Sequence, residues 1–164
     1  ITHMGGSRSS GNILPRAEFN IYEDPHAAKL VFESGVPIVM SDIEICLECA
    51  TPHTMIDALK GQGKVQDLAH DILQFFSLYN RRRNVPQSPV FDLVPVMHML
   101  HPELFVEKPC KVQIETAGKY TQGMTIVDDA DAEHANVRLL GHCVDVEAYN
   151  AYFMENLKIL NERI

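Results

Sequence analysis

Positive charge is scarce in this chain. Fourteen Lys and Arg stand against 22 Asp and Glu, a net charge of −8. That deficit argues against a nucleic-acid backbone or an anionic membrane as the main partner, since both need clustered basic side chains. The one basic run, Arg81-Arg82-Arg83, is short and reads as a solvated helix end. No apolar run approaches the length of a membrane span, and the first residues lack the charged-then-apolar layout of a secretory leader. A cytoplasmic protein is the expectation. Cysteine is sparse as well: Cys46, Cys49, Cys110 and Cys143 show none of the spacing of a small secreted domain, so reduced thiols are expected. The lone Cys46-Leu47-Glu48-Cys49 has neither a second pair nor a nearby His pair to make a zinc site.

With 46% hydrophobic and 22% charged side chains over 164 residues, the composition fits one globular domain covering 1–164. Helical and strand signals alternate in an α/β manner. Residues 1–4 read as a strand tail running into Gly5-Gly6, and 7–20 as a polar loop. Asp24-Pro25 reads as an N-cap with proline at the first helical position, and Gly35 as the stop. Residues 36–45 read as a strand and Thr51-Pro52 as the start of a second helix ending near Gly61. A long helix over 65–82 places Leu68, Ile72, Leu73, Phe76 and Tyr79 on one face. A short helix is expected at 92–100, strands at 110–116, 124–127 and 137–144, and a terminal helix from 146 to about 161.

The most informative stretch is Gly11-Asn12-Ile13-Leu14-Pro15-Arg16-Ala17-Glu18-Phe19-Asn20, followed by Asp24-Pro25-His26-Ala27-Ala28 and preceded by Met4-Gly5-Gly6. Asn12, Glu18 and Asn20 together can form at least four hydrogen bonds, which suits a polyhydroxylated ring. Taken singly, each favours a capping or turn role; their joint spacing favours a sugar site. This block resembles the ribose-binding segment of the inosine-uridine nucleoside hydrolases. Glu115-Thr116 with Gly118, and Gly123-Met124-Thr125 with Val127-Asp128, are similar to that family's hairpin. Ser88-Pro89-Val90-Phe91-Asp92 with Leu100-His101-Pro102-Glu103-Leu104-Phe105 is similar to its P-L-H-D-P segment and downstream D-P-E-L-F.

The resemblance implies a nucleoside-hydrolase-like α/β fold, a mostly parallel sheet flanked by helices, corresponding to the C-terminal half of the family and so N-terminally truncated. It implies hydrolysis of the N-glycosidic bond of purine or pyrimidine ribonucleosides to ribose and free base. Asn12, Glu18 and Asn20 would bind ribose hydroxyls, with Met4 and Phe19 along the apolar side of the ring. Calcium would be the cofactor and Asp92 its lone ligand from this half. The implied partners are a ribonucleoside and either further copies of the chain or a missing N-terminal half.

Three departures bear on that reading. The family's D-x-D-x-x-x-D-D motif does not occur. Phe91 stands where many members carry a histidine able to protonate the leaving base. Leu93 replaces the usual proline, and Ile43-Glu44-Ile45 stands where the family has an L-D-V strand. No catalytic residue is assigned. The alternative is a non-catalytic remnant that binds nucleoside or serves as an interaction module. By residue type alone, Asp92 reads as a helix N-cap, and His98 and His101 as satisfied helix histidines.

Overall fold

The computed structural model describes residues 1–163. Its elements in chain order are β1 (Thr2–Met4), α1 (Phe19–Glu23), α2 (Pro25–Phe32), β2 (Val39–Ser41), α3 (Ile43–Glu48), β3 (Thr51–Pro52), α4 (His53–Asp57), α5 (Lys64–Arg82), β4 (Gln87–Ser88), α6 (Leu93–Leu100), β5 (Phe105–Ile114), β6 (Thr125–Asp128), β7 (Val137–Cys143) and α7 (Val146–Glu162). They pack as two compact units, one made of residues 1–48 and 91–144, the other of 49–90 and 145 onward.

The first unit is a five-stranded sheet in the order β1-β2-β7-β5-β6 with helices against it. The α/β class holds, and the sheet is mixed. β1, β2 and β7 run parallel, whereas β5 is antiparallel to both β7 and β6. A short connection through Gly123, at φ 78°, returns β6 against β5 as a hairpin, which forces the antiparallel sense there. The buried faces of β2, β5 and β7 meet Ile21 of α1 and Phe32 of α2 in one apolar core that includes Met40, Val112 and Leu139.

Local chemistry explains most boundaries. Asp24 Oδ1 accepts from Ala27 N at 2.8 Å with Pro25 at the first helical position, and Gly35 sits at φ 76° beyond the helix end. The strand expected over 36–45 is cut to Val39–Ser41. Asp42 Oδ1 accepts from Ile45 N at 3.0 Å and Asp42 O from Cys46 N at 3.2 Å, so the chain turns into α3 where Ile43-Glu44-Ile45 was expected to be extended. Thr51-Pro52, expected to open a helix, is instead a two-residue strand against Gln87–Ser88, and α4 starts after it.

In the second unit, α5 packs on α4 and α7. Its inward side carries Gln66 and Ser77, both buried, while Leu68, Ile72, Phe76 and Tyr79 are exposed. The apolar stripe expected on one face of this helix therefore lies outside that unit's own core. Arg81 of the basic run reaches Asp57 at 2.7 Å, and Arg83 Nη1 donates to Tyr79 Oη at 2.9 Å. Among the described residues no helix is long and apolar enough to cross a membrane.

Candidate functional site

The site is built on the segment that leaves β1. After Met4 the chain turns through Gly6 at φ 84°, where a Cβ would lie 2.4 Å from Met40 Cε. Only glycine fits this turn. The following residues fold back as a tight loop in which the amides of Asn12, Ile13 and Leu14 all point at Ala17 O (3.2–3.4 Å). At Gly11 a Cβ would meet Ala17 O at 2.1 Å, so this fold-back also demands glycine.

Glu18 closes the loop. It is 2% exposed and caps α1: Oε1 accepts from Asn20 N at 2.8 Å, and Oε2 from Ile21 N at 3.1 Å and Gly6 N at 2.9 Å. A carboxylate offers roughly four lone-pair positions. Three are taken by backbone, leaving one on Oε1. Asn12 Oδ1 accepts from Phe19 N at 2.8 Å, and Asn20 Nδ2 donates to Met4 O and Met4 Sδ, both at 3.3 Å. Met4, Asn12, Glu18, Phe19 and Asn20 are thereby joined in one hydrogen-bonded patch with Asn12, Asn20 and the Phe19 ring exposed. Much of the hydrogen-bonding capacity expected to be free for a sugar is used to hold the patch rigid, because α1 starts inside it and its first amides need acceptors.

Asp92 bonds directly to none of these residues. It occupies the N-cap position of α6, is exposed, and its side chain makes no capping bond. The helix-cap reading thus fails at the level of the side chain. Asp92 and Glu18 are related through Cys46, a fully buried thiol whose Sγ donates to Phe91 O at 3.6 Å. Burial first, and then the charges of Asp42, Asp92 and Glu18, push this thiol from 9.0 up to about 12. Among the described residues no group of three or more His, Cys, Asp or Glu could hold a metal ion. Calcium takes six to eight oxygens. The residues of this chain alone do not fit a calcium site.

A second cluster, not singled out by the sequence reading, holds the same loop from the other side. Glu44 of α3 accepts from Arg8 N (3.0 Å), Ser9 N (2.8 Å), Ser9 Oγ (2.6 Å) and Ser7 Oγ (3.1 Å). These bonds hold its carboxyl below the usual range against the opposing effect of burial. Asp42, fully buried, pairs with Arg8 Nε at 2.5 Å. Burial nevertheless pushes Asp42 upward, the guanidinium offsetting only part of the desolvation. Thr125 Oγ1 adds a reciprocal pair with Ser7 N (2.8 Å) and Ser7 O (2.6 Å). The available sequence signal was Asp42 three residues before Ile45, a helix-start pattern inside an apolar run.

The other singled-out groups have structural partners. His98 Nε2 meets Glu107 at 2.7 Å and His101 Nδ1 meets Glu103 at 3.1 Å. All four cysteines are buried thiols outside any disulfide.

The model of the inosine-uridine preferring nucleoside hydrolases matches residues 1–151. The pyrimidine-specific ribonucleoside hydrolase RihA of Photobacterium profundum is 40% identical over 131 residues, 78% of this chain and 42% of that protein. Its Salmonella typhimurium counterpart is 37% identical over the same share of each chain. This chain thus spans less than half the length of these curated relatives. A purine-preferring ribonucleoside hydrolase from Gardnerella vaginalis superposes with a TM-score of 0.86 at 23% identity, covering 98% of this chain and 52% of that one. A plant nucleoside hydrolase gives 0.84 at 22% identity, with 94% and 52% covered. Those two likenesses establish the fold. By sequence and by fold together, this chain belongs to the inosine-uridine preferring nucleoside hydrolase family.

Proposed function

We propose that this chain forms the ribose-holding part of a ribonucleoside hydrolase. The reaction breaks the N-glycosidic bond: water oxygen bonds to the anomeric carbon, and the base departs with the bonding pair and takes up a proton. The observation that carries the reading is the preorganised patch around Glu18, whose carboxylate is fixed by three backbone donors and to which the exposed Asn12 and Asn20 side chains are joined through Phe19 N and Met4 O. Groups fixed before the sugar arrives hold it at little ordering cost and can favour a distorted, positively charging ring over the ground state. Met4 and Phe19 would line the ring's apolar side.

Asp92 is the carboxylate this chain would give to a calcium ion whose remaining ligands it does not contain. Phe91 has no proton to give the leaving base. Hydrolysis therefore calls for groups outside this sequence, and the partner is a ribonucleoside together with a polypeptide carrying those groups. The names of the Photobacterium and Salmonella relatives favour a pyrimidine base. Four buried thiols outside any disulfide suit a cytoplasmic setting.

Calorimetric titration with uridine, alongside a reducing-sugar assay, tests this. The expected result is binding that weakens about tenfold in Asn12→Ala or Asn20→Ala, as for loss of one ligand hydrogen bond, with ribose released no faster than in buffer. Calcium-dependent ribose release by this chain alone would contradict the division of labour, and absence of uridine binding would contradict the ribose site.

A further inference from the structure

The second unit holds a cavity of about 380 Å³ between the turn that follows α4, the first turns of α5, and α7. Cavities that take small ligands begin near this size. Its depth is lined by Leu59 and Gln66, 4% and 8% exposed, and its walls by the half-buried Met55 and Met154. Glu155 and Lys158 stand exposed at the mouth. The two long helices that frame the cavity are tied together at one end, where Asn161 Oδ1 accepts from Val65 N at 3.2 Å. The space is therefore built before a ligand arrives.

Three of these groups have unused capacity. Among the described residues the Gln66 side-chain amide has no hydrogen-bond partner, although it is more than nine-tenths buried and lines the cavity. An amide carries two donors and an acceptor, so leaving it unserved at depth is costly. Glu155 and Lys158 lie three residues apart on one face of α7 and carry opposite charge, yet neither forms an ion pair with the other or with any described residue.

We propose that this cavity binds a free aromatic amino acid whose ring carries a hydrogen-bond donor, tryptophan or tyrosine. The inference does not rest on the ribose site. The two thioethers suit an aromatic ring lying between them. The indole N–H or phenol O–H would donate to Gln66 Oε1 at the depth of the cavity. The ammonium and carboxylate of the same molecule would meet Glu155 and Lys158 at the mouth. Other occupants leave part of the site unserved. A free nucleobase has no charges for Glu155 and Lys158, a fatty acid has no partner for Glu155, and an amino acid within a peptide has lost one charge or both.

Because the chain contains no tryptophan, indole emission excited beyond the tyrosine band comes from added L-tryptophan alone. The full chain titrated into L-tryptophan should shift that emission to shorter wavelength, saturably, with a dissociation constant of about 1 mM, the level of a small ligand in an open site. Gln66→Leu keeps the apolar volume, removes the acceptor and should weaken binding about tenfold. Its urea midpoint should not fall, since no side-chain bond of the folded chain is lost. Glu155→Gln, at an exposed position that leaves folding intact, should weaken binding about threefold, as for loss of one exposed charge pair. N-acetyl-L-tryptophan, which lacks the ammonium, should bind the wild type about threefold more weakly and be indifferent to Glu155→Gln. No saturable shift, binding that either substitution leaves unchanged, or equal affinity for the acetylated ligand would each overturn the proposal.

Discussion

At the scale of single residues, Glu18 and Cys46 carry the sharpest consequences. Replacing Glu18 with alanine leaves the amides of Gly6, Asn20 and Ile21 without their acceptor in a buried setting. At about 1 kcal/mol for each bond the loss is roughly 3 kcal/mol, read as a lower urea midpoint at unchanged slope. Glu18→Gln should fall between wild type and alanine, because its amide nitrogen cannot accept. Cys46 makes a prediction about alkaline pH. Its folded value of about 12 lies above the ordinary 9.0, so the native state keeps the proton while the unfolded state gives it up. The stability this represents is present below pH 9 and is lost as pH rises from 9 towards 12. Urea titrations across that range should show the decline, and Cys46→Ser should flatten it; a wild-type profile flat above pH 9 would contradict the burial argument.

At the scale of elements, His3 on β1 gives the acid-side counterpart. Its ring lies edge-on to Phe32 at 5.4 Å, and its Nε2 is buried without a hydrogen-bond partner. Burial lowers its pKa below 6.5, so the unfolded chain binds the extra proton first. The β1–α2 packing should therefore weaken as pH falls below about 6.5, and His3→Gln should remove that part of the pH dependence. Elements also show what a single sequence reveals. Asp24-Pro25 and Gly35 bound α2 as expected because capping chemistry is local. Residues 36–45 did not, because an apolar run cannot announce that Asp42 will turn back to cap α3. The side of α5 facing inward was illegible for a different reason. Its apolar stripe has the right period, but its own unit packs on the opposite side, through Gln66 and Ser77.

At the scale of the whole molecule, the family and the α/β architecture were legible because Met4-Gly5-Gly6 and the segment from Gly11 to Asn20 are dense in residues with single solutions. Gly6 and Gly11 admit no Cβ, and Glu18 answers three amides at once. The β5–β6 hairpin was legible through its resemblance to the family's hairpin, but the antiparallel pairing of β5 with β7 was not, since pairing sense depends on which strands become neighbours rather than on any strand's own sequence. The clamp of Arg8, Asp42 and Glu44 was missed for the same reason, its members being distant in sequence. It fixes the loop before Asn12 and so belongs to the site as a positioning device.

The central claim is that the patch around Glu18 receives a ribose. It is tested most directly by recording backbone amide resonances while uridine or free ribose is added. The account predicts saturable shifts concentrated at Asn12, Phe19, Asn20 and Ile21, with the amides of β6 and α7 unmoved. Shifts spread evenly over the chain, or confined to residues outside the segment from Met4 to Ile21, would contradict it.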